Sequence, residues 1–91
     1  MNGGVSGRYA VDFAPAAARQ IRRLDRLVQR RILAATEALA VNPRPPGVKK
    51  LAGRKDTWRI RVGDHRIVYE IHEGRLRVLV VAVGHRREVY G

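Results

Sequence analysis

Three arginines, Arg59, Arg61 and Arg66, stand close together in the stretch DTWRIRVGDHRIVYEI (residues 56–71), with a Gly-Asp pair between the second and the third. A guanidinium group is a planar fork of donors that keeps its charge at any physiological pH, and it matches the oxygens of a phosphate. A second group of chemistry-bearing residues closes the chain in GHRREVYG (residues 84–91): His85, Arg86, Arg87, Glu88 and Tyr90. An imidazole, two guanidinium groups and a phenol beside a phosphate cradle could act as general acids and bases in phosphodiester cleavage.

A metal site is not expected. The histidines at 65, 72 and 85 follow no ligand spacing, the carboxylates are scattered, and there is no cysteine. No glycine loop of the Walker type is present, and no cofactor is implied. A nuclease built from these residues would work without a metal, with the 2′-hydroxyl of RNA as nucleophile against the adjacent phosphorus. That reaction needs a group to take the hydroxyl proton, cations for the charge building on phosphorus, and a donor for the leaving 5′-oxygen. DNA lacks the 2′-hydroxyl and would be inert to it.

Net charge points the same way. Nineteen Lys and Arg against eight Asp and Glu leave the 91-residue chain at +11, and sixteen of the nineteen are arginine. Such a field attracts polyanions: RNA, DNA, an acidic protein or a membrane surface. A genome-wide bias toward arginine is the bland alternative, so placement has to decide. Hydrophobic residues make up 45% of the chain, which places it among folded proteins and not basic disordered tails. Its length suits one small domain over residues 1–91, with MNGGVSGR (1–8) as a frayed start. With no run of eighteen apolar residues and no signal-peptide core, a soluble cytoplasmic protein without a membrane partner is expected.

The elements that must position the arginines can be read in order. YAVDF (9–13) alternates as a short strand. From Pro15 to about Ala40 the apolar residues Ile21, Leu24, Val28, Ile32, Ala35 and Leu39 fall at steps of three and four, with arginines on the other face. That spacing would suit one long helix, but Asp25 can cap a second helix after a bend, and a chain this short favours a hairpin. VNPRPPGVKK (41–50) breaks the pattern, and LAGRKD continues as a basic loop. Strands are predicted at about 57–62, 65–72 and 75–83. The fold class is therefore α+β, in the order β-α-α-β-β-β, a three-stranded antiparallel meander with the helices on one face of the sheet.

Gly63-Asp64 suits a type II′ hairpin turn. In that register Arg61 faces Arg66, Arg59 faces Val68, and Val62 faces His65. Opposed residues share a face, so the three arginines lie together, opposite an apolar face of Trp58, Ile60, Val62, Ile67, Tyr69 and Ile71. Like charges directly across a strand pair are destabilising. Glu70 is expected to pair with Arg77 on the last strand and so cannot cancel them. A cluster that weakens the fold is best explained by what it binds; the alternative is ordinary solvated strand positions whose charge blunts sheet association. The last strand, LRVLVVAV, is apolar on both faces and is expected inside the sheet.

From YAVDFAPAAARQIRRLD to the closing WRIRVGDHRIVYEIHEGRLRVLVVAVGHRREVYG, the chain resembles the RelE/ParE superfamily of bacterial toxins, on the RelE side. The resemblance implies an endoribonuclease that cuts messenger RNA in the A site of the 70S ribosome and leaves a 2′,3′-cyclic phosphate. It also implies silencing by a cognate, RelB-like antitoxin. By the same resemblance Arg66 stabilises the scissile phosphate, Arg59 and Arg61 occupy the two basic positions after the aromatic, Arg86 is the acid and Tyr90 the base. His85 fills a slot that shares acid–base work, and Arg87 is a further RNA-binding position or a substitute for Arg86. The segment KKLAGRK, with Lys49, Lys50, Arg54 and Lys55, resembles one that contacts 16S ribosomal RNA. The family's best-known member has lysines where Arg59 and Arg61 stand; arginine can stabilise charge there but hardly accept a proton. Two other readings are a ParE-like toxin acting on DNA gyrase and a non-catalytic RNA-binding module.

Overall fold

The computed structural model describes residues 8–85. Most of the start read as frayed falls outside this range, as do Arg86, Arg87 and Tyr90. Strand β1 (Ala10–Phe13) is followed by helices α1 (Pro15–Arg22) and α2 (Arg26–Val41). The sheet then continues through β2 (Lys49–Lys50), β3 (Thr57–Val62), β4 (His65–His72), a 3-10 turn (Glu73–Arg75) and β5 (Arg77–His85).

The helical hairpin forms where its signals lie. Pro15 occupies the first turn of α1, where its fixed φ and missing N–H cost nothing. Asp25 caps α2 by accepting a hydrogen bond from Val28 N at 3.0 Å. Gln29 Nε2 donates to Ile21 O at 2.8 Å and ties the two helices together. Gln20 Oε1 accepts from Val83 N at 2.7 Å and pins α1 to the last strand. Ala17 and Ile21 of α1, with Ile32 and Leu39 of α2, close over Ile67, Tyr69, Ile71, Val78, Val80 and Val83 of the sheet. Each fully buried aliphatic side chain of this kind stabilises by roughly 1.5–3 kcal/mol. Among the described residues no helix is long and apolar enough to cross a membrane.

The strand order is β1-β5-β4-β3-β2, with β4 and β5 inside the sheet. The β3–β4 register is the one the alternation predicts: Arg61 opposite Arg66, Arg59 opposite Val68, Val62 opposite His65, with Gly63 at φ 60 in the turn. Three features extend or correct the sequence reading. The sheet is mixed, because β1 pairs parallel with β5 after the helical crossover. Lys49 and Lys50, read as loop, form a two-residue edge strand against Arg59 and Trp58. The last strand runs Arg77–His85 and carries a bulge: Val68 pairs with Ala82 but Tyr69 pairs with Val80, leaving Val81 as the extra residue.

The expected Glu70–Arg77 pair does not form. Pairing of β1 with β5 brings Asp12 to Arg77, and those two make the ion pair. Glu70 instead lies 3.0 Å from Nε2 of its own-face neighbour His72.

Candidate anion-binding site on the open sheet face

The helices cover one face of the sheet, and the arginines occupy the other. Arg59 and Arg61 project from β3 and Arg66 from β4; Lys49, opposite Arg59 on the edge strand, joins them. With Gly47 and Ile60 these four cations line a cleft of about 310 Å³. That volume lies at the small end of the ~300–1,000 Å³ range of ligand sites, enough for a phosphate and its sugar. Among the described residues none of the four makes an ion pair. Arg61 Nε donates to Gly63 O at 3.3 Å, which draws its guanidinium toward the hairpin turn.

Chemically, the cleft is a ring of fixed positive charge with N–H donors, suited to an oxyanion and to charge that grows on phosphorus. Its floor is firm. Leu51 and Val68 are buried beside the arginines, with the half-buried Val81 and Ala82 packed against them, so the basic loop after β2 is anchored across this face. Leu51 N also donates to Thr57 O at 2.9 Å.

The wall that carries Gly47 and Lys49 is held by two ties. Tyr69, fully buried, donates its hydroxyl to Pro43 O at 2.7 Å. Burial pushes this phenol well above its ordinary value, so it stays neutral and structural. Glu73 makes the second tie: Tyr9 OH donates to one carboxylate oxygen at 2.6 Å and Arg44 Nη1 to the other at 2.8 Å. The Tyr9 hydroxyl, followed by Arg44, holds the Glu73 carboxyl below its usual value, and the same bond raises the Tyr9 phenol. Arg44 also stacks over the Trp58 ring at 5.1 Å, with Lys50 Nζ at 5.9 Å from the same ring. Trp58 Nε1 is buried and has no hydrogen-bond partner among the described residues.

The residues singled out from the sequence are thus divided. Arg59, Arg61, Arg66 and Lys49 come together in the cleft. Lys50 lies one row on, opposite Trp58, and so on the helix side of the sheet edge. Arg54 and Lys55 are exposed in the loop between β2 and β3. His85 does not join the arginines. It is opposite His65, which is opposite Val62, a residue packed against the core, so both imidazoles belong to the helix face. Their rings meet edge to face with centroids 5.8 Å apart. The bulge at Val81 is the cause, because it shifts the in-out alternation of β5 by one residue. Arg86, Arg87 and Tyr90 fall beyond the described residues. Gly47 was missed; a glycine in a proline-rich breaker shows no sign of lining a cleft until the chain folds back.

Comparison with known proteins gives a consistent picture. Residues 11–90 match the family model described as the ParE toxin of the type II toxin–antitoxin system parDE. A curated Escherichia coli protein provisionally named a RelE-like toxin is 35% identical over 81 residues, covering 87% of this chain and 84% of its own length. Among solved structures, the toxin–antitoxin complex RelBE of E. coli aligns with a TM-score of 0.76 at 26% identity, covering 85% of this chain and 95% of the matched one. The archaeal RelE–RelB complex of Pyrococcus horikoshii OT3 aligns with a TM-score of 0.78 at 24% identity, covering 90% and 99%; that likeness concerns the fold.

Proposed function

This chain belongs to the RelE/ParE superfamily of type II toxins, and on that premise we propose that it is a ribosome-dependent endoribonuclease of the cytoplasm. It cuts messenger RNA in the A site without a metal, through the RNA 2′-hydroxyl, and leaves a 2′,3′-cyclic phosphate. A RelB-like cognate antitoxin neutralises it. The observation that carries this reading is the convergence of Arg59, Arg61, Arg66 and Lys49, without ion-pair partners among the described residues, on one cleft of an open sheet face.

Arg66 and Arg61, opposed across β3 and β4, grip the non-bridging oxygens of the scissile phosphate, and Arg59 and Lys49 hold the flanking backbone. The three guanidinium groups are not suited to taking the 2′-hydroxyl proton. Proton transfer is therefore assigned to Tyr90 as base and Arg86 as acid. His85, on the helix face, has no direct part in it. Lys50, Arg54, Lys55 and Arg87 contribute to contacts with 16S ribosomal RNA.

The test is cleavage of a translated message by purified protein, with cut ends mapped and their phosphates identified. Wild type should cut within codons and leave cyclic phosphates, and Arg66→Ala should lose most of that activity. A message that survives translation with folded wild-type protein refutes the proposal. A second reading, poisoning of DNA gyrase by protein contact, is favoured by the description of the matching family as a ParE toxin. It predicts gyrase-linked DNA breaks and an uncut message. RNA binding without cyclic-phosphate ends would mark a binding module only.

A further inference from the structure

The cleft accounts for only part of the charge. We propose that the helical hairpin carries a second nucleic-acid surface, which takes the phosphate backbone of double-helical RNA independently of the sheet-face cleft. Arg19, Arg22, Arg23, Arg26, Arg30 and Arg31 are all exposed, and all lie on α1, α2 or the bend between them. Both helices turn their other faces into the core, so these six look away from the sheet and from the cleft.

Two observations separate this surface from an ordinary solvated one. Among the described residues none of the six arginines has an ion-pair partner. The hairpin's own carboxylates are too few to neutralise them: only Asp25 and Glu37 stand against the six, and Glu37 lies two turns along α2 from Arg30. Arg19 and Arg22, in the last turn of α1, suit the helix dipole, but the placement of Arg26 and Arg30 works against the fold. Arg26 is the first residue of α2, where the helix dipole disfavours a cation, and the first turn holds no acidic residue. Arg26 and Arg30 are like charges at i and i+4, which repel on one helix face.

The chemistry of the partner follows from what the surface lacks. A membrane-bound helix needs a continuous free apolar face, whereas here Ala17, Ile21, Ile32 and Leu39 are turned into the core and the large apolar residues left exposed, Leu27, Leu33 and Val41, are scattered along α2. A protein interface is built on an apolar centre, whereas here only Leu27 and Leu33 stand among the arginines and Val41 lies apart at the far end of α2. Nucleic-acid interfaces are polar and strongly positive. One turn of helix sets Arg26 and Arg30 about 6 Å apart along the axis, on the scale of successive phosphates in a strand. The surface stands without the nuclease reading; the choice of RNA over DNA rests on it.

The experiment measures anisotropy of a labelled 2′-O-methyl RNA duplex, which 2′-hydroxyl chemistry cannot cleave, with the full chain over a salt series. R22Q/R26Q/R30Q is compared with wild type and with R59Q/R61Q/R66Q. If each hairpin arginine neutralises one phosphate, the hairpin variant loses at least ~10-fold in affinity and its salt slope falls by about 3. The hairpin variant should unfold close to the wild-type temperature at low salt, because relief at Arg26 and Arg30 offsets the loss of Arg22 from the last turn of α1, and this separates lost binding from lost structure. A hairpin variant with wild-type affinity and slope overturns the proposal. So does loss of polyglutamate binding with RNA binding intact, or tighter hairpin-dependent binding to a DNA duplex of the same sequence. Hairpin-dependent RNA binding by a protein that cuts no message would sustain this surface and refute the nuclease reading.

Discussion

Replacing Arg61 by glutamine should make the protein more stable and less active at once. Arg61 and Arg66 face each other across β3 and β4, and both line the cleft. Like charges in directly opposed positions destabilise by roughly 0.2–1 kcal/mol. Against that stands the bond from Arg61 Nε to Gly63 O, which at 3.3 Å and in solvent contributes little. The net expectation is a gain of about 0.2–0.8 kcal/mol, or about 1–6 °C in the melting temperature of a domain this size. At about 1 M salt the Debye length shrinks to about 3 Å and the gain should largely vanish. Activity should move the other way. Loss of one charge-assisted donor aimed at developing negative charge costs about 10²–10³ in rate. Thermal unfolding at low and high salt, paired with single-turnover cleavage of a ribosome-bound message, reads both. A variant that is less stable at low salt, or that cuts at the wild-type rate, would show that these arginines are not held together for an anion.

Other perturbations probe the scaffold around the cleft. Tyr69→Phe leaves Pro43 O without its donor and should cost about 1–2 kcal/mol by urea denaturation, with weaker anion binding as the wall carrying Gly47 and Lys49 loosens. Glu73 has a folded-state carboxyl below its usual value, so its contribution is present above the ordinary carboxylate range and lost as pH falls through the folded value. Glu73→Gln should erase that acid limb in a pH series of unfolding midpoints. Deleting Val81 removes the bulge but keeps Tyr69–Val80, Val68–Ala82 and Ile67–Val83 in register, so Val83 stays in the core, His85 stays on the helix face, and the change should remain below about 2 kcal/mol in the same assay.

The arginine cluster was legible because period-two alternation and a glycine suited to positive φ together leave one register for β3 and β4. The hairpin was legible through Pro15 and Asp25, whose roles are local. What escaped depends on contacts distant in sequence. The parallel pairing of β1 has no local signal, and without it Asp12 is not seen to claim Arg77 from Glu70. A two-residue strand such as Lys49–Lys50 is too short to show a period. The bulge hides for a different reason: VLVVAV is apolar throughout, so a shift of one residue leaves no trace in hydropathy, and the side on which His85 emerges could not be read.

Trp58 is the only tryptophan in the chain, and its ring lies beneath Arg44 and Lys50, neighbours of the cleft-lining Gly47 and Lys49. The molecule therefore contains its own optical reporter beside the candidate site. An anion that draws either cation off the indole changes the ring's surroundings, so fluorescence excited on the red edge of the indole band, away from the absorption of the three tyrosines, can follow docking in unlabelled protein with no second tryptophan to subtract.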